Sequence, residues 1–198
     1  MLASVLLVVA AYLIGSVSFA VVVSRLFGLP DPRGYGSGNP GATNVLRTGN
    51  KAAALLTLAG DGLKGFLAVW LAQRLAPTAF LEWTIAAAAL AVFLGHLFPV
   101  FHRFAGGKGV STAAGILFAL HWPLGAALTV VWMSIAFGFK ISSLAGLTAA
   151  VLMPLGMFYV FGPIAATWAT VAIAVLLFWR HRANISGLMA GRERRLGG

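Results

Sequence analysis

The sequence predicts an all-α fold, and more specifically a polytopic integral membrane protein with seven transmembrane helices. Hydrophobic residues make up 60% of its 198 residues and charged residues 9%, whereas soluble domains average about 45–50% and about 25%. This composition excludes an intrinsically disordered chain and a conventional soluble enzyme. The 14 Lys and Arg residues outnumber four acidic residues, which gives a formal net charge of +10. Cysteine is absent, so disulfides, thiolate nucleophiles and cysteine-ligated metals are excluded.

Seven apolar stretches account for the predicted helices and make residues 1–198 a single transmembrane domain. A helix needs about 20 apolar residues to cross a hydrocarbon core of about 30 Å. The fourth stretch is shorter, so it either begins in the preceding loop or stops partway across the membrane. The approximate helices are 1–24, 52–75, 83–101, 110–120, 123–139, 141–161 and 163–179.

The placement of the basic residues predicts the orientation, because cytoplasmic loops are enriched in Lys and Arg. With seven crossings, twelve basic residues fall on one side and only Arg74 on the other, while Lys64 lies inside a helix. Without the fourth crossing, Lys140 and the five tail arginines change sides, and the count becomes six against seven. The sequence therefore predicts an external N-terminus and a cytoplasmic C-terminus. The twelve are Arg25, Arg33, Arg47, Lys51, Arg103, Lys108, Lys140, Arg180, Arg182, Arg192, Arg194 and Arg195.

The first predicted cytoplasmic loop, residues 34–47, is dense in glycine and hydrogen-bonding side chains. Glycine permits close backbone approach, so several N–H groups can face one anion. Ser37, Asn39 and Asn44 add neutral hydrogen-bonding groups around Gly38. Arg47 adds a planar cation that is suited to phosphate. A flexible connector is the alternative interpretation, but the arginine and the two asparagines favour an anion site.

A second glycine-rich loop precedes the fourth helix and contains Gly106, Gly107, Lys108 and Gly109. It is not a Walker A loop, because that motif needs glycine at the position of His102 and Ser or Thr at the position of Gly109. A P-loop nucleotide hydrolase is therefore excluded. Lys108 stands at a helix start, where free N–H groups and the helix dipole favour an anion. The alternative is that Lys108 only contributes to the topology.

Polar residues near the predicted cytoplasmic face extend this set. His181 and Asn184 follow the last helix at an i,i+3 spacing that places them on one side. Ser143 begins the sixth helix and can donate a hydrogen bond there. His96 lies near a helix end, where an imidazole packed against a carbonyl is the alternative. The tail arginines explained by contact with anionic lipid are Arg180, Arg192, Arg194 and Arg195.

Asp61 and Lys64 lie inside the second predicted helix, three residues apart. One charged residue at the centre of a membrane helix costs roughly 2.5–3.5 kcal/mol on insertion scales. The two side chains are therefore expected to pair or to face a polar cavity. A structural ion pair is the alternative to a wall of the site, and the flanking glycines favour the wall because they allow another element to approach.

Several catalytic devices are missing from the sequence. No serine stands in a Gly-x-Ser-x-Gly elbow, and no histidine is followed five positions later by aspartate. A His-Glu-x-x-His motif is absent, and four acids are too few for a two-metal site. Cations, amides, glycines and imidazoles bind phosphate and act best on a substrate that is already activated. The sequence therefore predicts no metal, no cofactor and no nucleic-acid partner.

These segments, in the same order and over almost the whole chain, resemble the bacterial acyl-phosphate-dependent glycerol-3-phosphate acyltransferases (the PlsY family). Family members commonly have Lys at the position of Ala105 and Arg at the position of Gly187, so those two positions are not expected to contribute here. The segments that carry the resemblance are the three motifs 36–47, 95–109 and 181–185, together with 61–65 and 143–144.

The resemblance implies transfer of a fatty acyl group from acyl phosphate to glycerol 3-phosphate, with lysophosphatidic acid and phosphate as products. It implies a multi-pass protein of the bacterial cytoplasmic (inner) membrane whose partners are membrane lipid and the soluble enzyme that makes acyl phosphate. The alternative function is a transporter of small phosphorylated anions, because glycine-broken helices and an intramembrane ion pair fit one. A lipid-binding scaffold is the third possible function. Both alternatives rank lower, since the polar groups cluster on one side and the outer face is nearly bare.

The resemblance also implies roles for individual residues. Lys108 offsets charge on the leaving phosphate, and His181 with Asn184 orients glycerol 3-phosphate. The group that accepts the hydroxyl proton is open between His181, Asp61 and a substrate phosphate. The expected catalytic residues are Lys108, His181, Asp61 and Arg47. The expected binding residues are Ser37, Gly38, Asn39, Asn44, Lys64, His96, Gly106, Gly107, Gly109, Ser143 and Asn184.

Overall fold

Helices make up nearly all regular structure in the computed structural model, which describes residues 1–196. No strand occurs in that part of the chain, and the all-α prediction is confirmed. Gly197 and Gly198, the last residues of the predicted domain, lie outside the described residues. Two 3₁₀ turns are Thr78–Phe80 and Val100–His102. The helices are α1 (Leu2–Gly15), α2 (Phe19–Leu26), α3 (Ala42–Leu46), α4 (Lys51–Leu75), α5 (Leu81–Leu97), α6 (Val110–Leu120), α7 (Trp122–Gly138), α8 (Ser142–Phe161), α9 (Ala165–Arg180) and α10 (Arg182–Met189).

Length and hydropathy identify the helices that can cross a membrane. Three segments are long and apolar enough, namely α4, α8 and the stretch Thr78–His102 that contains α5. The bent pair α1 and α2 qualifies together, and α6, α7 and α9 are shorter apolar helices. Large apolar side chains cover the outer surface, and Leu6, Trp168 and Val175 are each more than half exposed. Such a surface is suited to lipid rather than to water.

The first predicted helix, 1–24, is broken in the structure. α1 and α2 meet at a bend of 44°. Serine hydroxyls compete with the helical hydrogen-bond pattern, and here Ser16 Oγ donates to the carbonyl one turn earlier while Ser18 is the extended N-cap of α2. At the break, the Val17 carbonyl accepts a hydrogen bond from the Lys64 ammonium of α4 at 2.7 Å. A continuous helix was the wrong expectation, because an apolar pattern does not show where a carbonyl finds a distant donor.

α4 and α6 pack so closely that larger residues do not fit at their contact. A Cβ on Gly65 would collide with the carbonyl of Thr112, and one on Gly115 would collide with the carbonyl of Gly62. Small residues permit such close approach of helices in membranes, where packing and hydrogen bonds drive association. The two helices therefore form a rigid wall for the elements around them.

α6 is short because it begins well inside the length of α4. Ser111 Oγ, in the first turn of α6, donates to the Leu58 carbonyl at 2.6 Å. Leu58 is seven residues, or about 10 Å, from the start of α4. At the opposite end, Gln73 near the end of α4 donates to the Ala119 carbonyl at 3.0 Å. The missing length of α6 is thus at the end that carries Lys108, and a cavity lies there.

Candidate active site

A cavity of about 930 Å³ lies between α4, α6, α7 and α8. Residues 37–47, the start of α6, the start of α10 and the tail residues 193–196 surround its polar end. A molecule with a charged head and an apolar chain matches this division. The apolar part is lined by Phe66, Leu117, Phe118, Leu128, Trp132 and Met153, among others.

Eleven of the fifteen site residues predicted from the sequence line this cavity, although they come from six separate parts of the chain. The other four, Gly38, Lys64, Gly106 and Gly107, do not lie in its wall. Within residues 1–196, no cluster of three His, Asp or Glu side chains is placed to hold a metal ion. The eleven are Ser37, Asn39, Asn44, Arg47, Asp61, His96, Lys108, Gly109, Ser143, His181 and Asn184.

Asn44 stabilises the first loop, because its side-chain amide is hydrogen-bonded to other protein groups of that loop. Its side-chain nitrogen donates to the carbonyls of Pro32 at 2.7 Å and Tyr35 at 3.2 Å. Its side-chain oxygen accepts from the Ser37 backbone N–H at 3.1 Å and from Arg47 Nη1 at 2.9 Å. An asparagine side chain has two donors and two acceptor lone pairs, so these contacts use its full capacity. The Ser37 hydroxyl and the remaining Arg47 nitrogens keep donors for a ligand.

The second glycine-rich loop presents Lys108 to the cavity while its first two glycines are buried behind the wall. A Cβ on Gly106 would collide with carbonyls at the end of α5, and one on Gly107 with a histidine ring of that helix. Gly109 has a φ of 87°, which favours glycine, and this turn leads into α6. Lys108 Nζ donates to Asn184 Oδ1 at 2.5 Å, and burial lowers the pKa of Lys108.

His181 follows the last residue of α9 and is 2% exposed. Its Nδ1 is 2.8 Å from the Leu177 carbonyl. A carbonyl only accepts, so Nδ1 carries the hydrogen and Nε2 keeps a lone pair. Nε2 lies on the side of Gly146, a cavity-lining residue of α8. Burial lowers the pKa of His181 to about 4, so the ring is neutral near pH 7 and Nε2 is a hydrogen-bond acceptor.

We expect histidine-selective ¹⁵N NMR of the detergent-solubilised protein to show His181 as the neutral Nδ1–H tautomer with no titration between pH 8 and pH 5. The reason is that its pKa of about 4 lies below this range, whereas an unperturbed histidine titrates near pH 6.5. His181→Asn identifies the signal among the four histidines. A titration midpoint near pH 6.5, or an Nε2–H tautomer, would contradict this assignment.

Asp61 and Lys64 form a buried ion pair at 2.9 Å, and His96 Nδ1 lies 3.6 Å from the same carboxylate oxygen. Thr112 Oγ1 donates to the Asp61 backbone carbonyl at 2.9 Å and lies 3.1 Å from His96 Nδ1. The Lys64 ammonium also donates to the Val17 carbonyl. Lys64 therefore holds the α1–α2 break against α4 and is not placed to bind phosphate, which corrects its expected role. Asp61 and His96 line the cavity.

The basic tail reaches the site, which its interpretation as a lipid contact does not anticipate. Arg194 and Arg195 line the cavity. Arg180 turns towards the second glycine-rich loop, where Nη2 donates to the Gly106 carbonyl at 2.6 Å and Nε to the Gly107 carbonyl at 3.1 Å. Contact with anionic lipid is therefore an incomplete explanation of these three arginines.

Glu193 is a site residue that the sequence analysis misses. Its Oε1 accepts hydrogen bonds from Ser143 Oγ and Asn184 Nδ2, both at 2.6 Å, and Asn184 in turn accepts from Lys108. A Cβ on Gly187 would lie 2.7 Å from Glu193 Oε2, so the missing side chain at this position gives the carboxylate room. The only signal in the sequence is a single acid within a strongly basic segment.

Comparison with known proteins gives a consistent result along the chain. The family model described as glycerol-3-phosphate acyltransferase matches residues 5–191. The glycerol-3-phosphate acyltransferase of Cupriavidus pinatubonensis is 62% identical over an alignment of 199 positions, which covers 99% of this chain and 98% of that protein. The enzyme of the same name from Burkholderia pseudomallei is 61% identical over 193 residues, which cover 96% of this chain and 93% of that protein.

Two solved structures of PlsY (YgiH), an integral membrane glycerol 3-phosphate acyltransferase, share this architecture. The glycerol 3-phosphate form is similar with a TM-score of 0.90 and 39% identity, and the match covers 98% of this chain and 96% of that chain. The lysophosphatidic acid form has a TM-score of 0.88 and 38% identity, with 98% and 95% covered. Likeness at this level extends to nearly every helix of the fold.

Proposed function

The chain belongs to the glycerol-3-phosphate acyltransferase family and is a membrane-embedded acyltransferase, and we propose that its acyl donor is an acyl phosphate. In this reaction the hydroxyl oxygen of glycerol 3-phosphate attacks the acyl carbonyl carbon. The bond from that carbon to the phosphate oxygen breaks, and the products are lysophosphatidic acid and inorganic phosphate. The observation that carries the proposal is the cavity itself, which joins a cationic polar end to an apolar part between helices.

A mixed anhydride suits the residues of the polar end. Its leaving group is good, so catalysis needs positioned charge rather than a covalent nucleophile. Lys108 and Arg47 supply cations, and the Ser37 hydroxyl supplies a further donor. We assign these three residues to the phosphate groups, with Lys108 offsetting the negative charge that builds up on the leaving phosphate.

His181 is assigned to the attacking hydroxyl of glycerol 3-phosphate. Its Nε2 lone pair accepts the hydroxyl hydrogen bond and so aims the oxygen at the acyl carbon. With a pKa of about 4, the imidazole is a weak base that does not hold the proton at neutral pH. The proton therefore ends on the departing phosphate, which balances the reaction. Asn184 and Asp61 complete the polar wall in this proposal.

Seven crossings are our proposal for the topology. They comprise the bent α1–α2 pair, Thr78–His102, α4, α8 and the three shorter apolar helices. The excess of basic residues on one side then places the C-terminus and the polar end of the cavity in the cytoplasm. We place the protein in the bacterial inner membrane. Glycerol 3-phosphate then enters the cavity from the cytoplasm, and the acyl phosphate is supplied by a soluble enzyme that makes it. Polar groups at one end of the cavity disfavour a transporter.

Purified protein in lipid nanodiscs tests the donor directly. We expect lysophosphatidic acid to form from glycerol 3-phosphate and palmitoyl phosphate, with one inorganic phosphate released per acyl group transferred, and little product from palmitoyl-CoA. Absence of product with both donors would overturn the assignment of the reaction. Equal use of palmitoyl-CoA would overturn the donor alone.

The apolar part of the cavity is assigned to the acyl chain, and Ala149→Phe is expected to shorten it. Ala149 lines the cavity on α8, about 9 Å along the helix from Ser143. We expect kcat/KM for palmitoyl phosphate to fall at least about tenfold relative to octanoyl phosphate, about 1.4 kcal/mol. The expected cause is steric exclusion of the longer acyl chain by the phenyl ring. Because the chain enters the cavity from lipid and not from water, a change in hydrophobic burial contributes little. Ala87→Phe, on the exposed surface of α5, is the matched control. Equal losses for both donors would place the chain elsewhere.

A further inference from the structure

Arg180 grips the backbone of the second glycine-rich loop from outside the cavity. Its two hydrogen bonds reach consecutive carbonyls, Gly106 at 2.6 Å and Gly107 at 3.1 Å. The Gly107 N–H donates to the His96 carbonyl at 3.1 Å, so the loop is held between the end of α5 and the end of α9. Arg180 itself does not lie in the cavity wall, whereas Lys108 does.

The hydrogen bond from Arg180 to the Gly107 carbonyl fixes the direction of the peptide group between Gly107 and Lys108. Every peptide bond within residues 1–196 is trans, so the Lys108 N–H points opposite to the Gly107 carbonyl. With the carbonyl held by Arg180, the N–H side of this peptide is turned away from Arg180. A glycine-rich loop resists rotation of its peptide groups weakly, so an external hydrogen bond is needed to keep one orientation.

We propose that Arg180 is a positioning residue for phosphate binding, which holds the carbonyls of Gly106 and Gly107 away from the bound anion. Without this grip, the peptide can rotate and turn a carbonyl oxygen towards the anion, where it repels negative charge. His181 follows Arg180 directly and Asn184 lies in the first turn of α10, so the junction of α9 and α10 positions both the loop and the groups that face it. The proposal rests on the proposed role of the Lys108 loop in binding a phosphate group.

The test compares Arg180→Gln, Arg180→Lys and Arg182→Gln in the acyl-transfer assay, with KM and kcat determined separately for both substrates. Arg182 is the matched control, because its guanidinium also lies over the Trp179 ring, at 5.1 Å against 5.7 Å for Arg180. Its hydrogen bond goes to the Trp179 carbonyl and not to the loop. Inorganic phosphate, as a product inhibitor, probes anion binding without the acyl chain.

We expect Arg180→Gln to raise the KM of at least one of the two substrates, glycerol 3-phosphate or acyl phosphate, at least about tenfold. The inhibition constant of inorganic phosphate should rise by a similar factor, and kcat should fall less. Arg180→Lys retains one donor and should recover part of the affinity, while Arg182→Gln should match the wild type. Equal behaviour of Arg180→Gln and Arg182→Gln would overturn the proposal. It would also be overturned if Arg180→Lys folded with normal thermal stability and an unchanged phosphate inhibition constant while only kcat fell. A wild type inactive with every donor would instead refute the proposed function.

Discussion

Replacing Lys108 with alanine is expected to lower kcat by about 10²–10³-fold, similar to the loss of one oxyanion-stabilising donor in other enzymes. The reason is that Lys108 Nζ lies in the cavity wall and bonds to Asn184 Oδ1. In the proposed reaction this ammonium meets negative charge that grows as phosphate leaves. Stopped assays of lysophosphatidic acid formation in nanodiscs measure the effect.

The control for Lys108→Ala is Lys140→Ala, which removes the same side chain from an exposed turn between α7 and α8. Both variants lower the net charge by one, so any general effect on membrane insertion or on lipid attraction is shared. Lys140→Ala should retain wild-type kcat. If the two variants lost activity equally, or if Lys108→Ala remained active, Lys108 would not belong to the catalytic site.

Replacing Lys64 with methionine is expected to destabilise the protein by about 3 kcal/mol or more, because it leaves the Asp61 carboxylate buried without its partner. The change also removes the donor to the Val17 carbonyl at the α1–α2 break. For a chain of this length, such a loss corresponds to a fall in Tm of about 6 °C or more. Thermal unfolding in detergent, followed by intrinsic tryptophan fluorescence, measures it.

The double variant Lys64→Met with Asp61→Asn separates charge from packing. It removes both charges, so we expect more than half of the lost stability to return, while the Val17 carbonyl still lacks its donor. A double variant that is no more stable than Lys64→Met would show that the ion pair contributes little. In that case the hydrogen bond to Val17 would account for the effect.

The composition predicts the helical class because seven apolar stretches have few alternatives in a chain this hydrophobic. The apolar stretch 110–120, for example, has the same limits as α6. The break in 1–24 is different, since it depends on a lysine 47 residues after Val17. A pattern of apolar residues carries no information about such a distant partner.

The same distinction applies to the site. Lys108, Arg47 and His181 are predictable as members of one cavity wall, because each lies in a polar motif of a chain that is otherwise apolar. Glu193 and Arg180 are not, because both stand in a basic segment whose charges membrane orientation already explains. Their roles arise from the way the tail and the end of α9 fold back onto the loops. The sequence alone does not specify that contact.

The recessed start of α6 has a consequence for how the reaction is measured. Because the first turn of α6 contacts α4 at Leu58, about 10 Å from the start of that helix, we expect the two substrates of the proposed reaction to meet below the surface of the bilayer, each arriving from a different phase. The effective concentration of the acyl donor is then its mole fraction in the leaflet rather than its bulk molar concentration. Adding inert phospholipid at constant donor should slow the enzyme as dilution in water slows a soluble one.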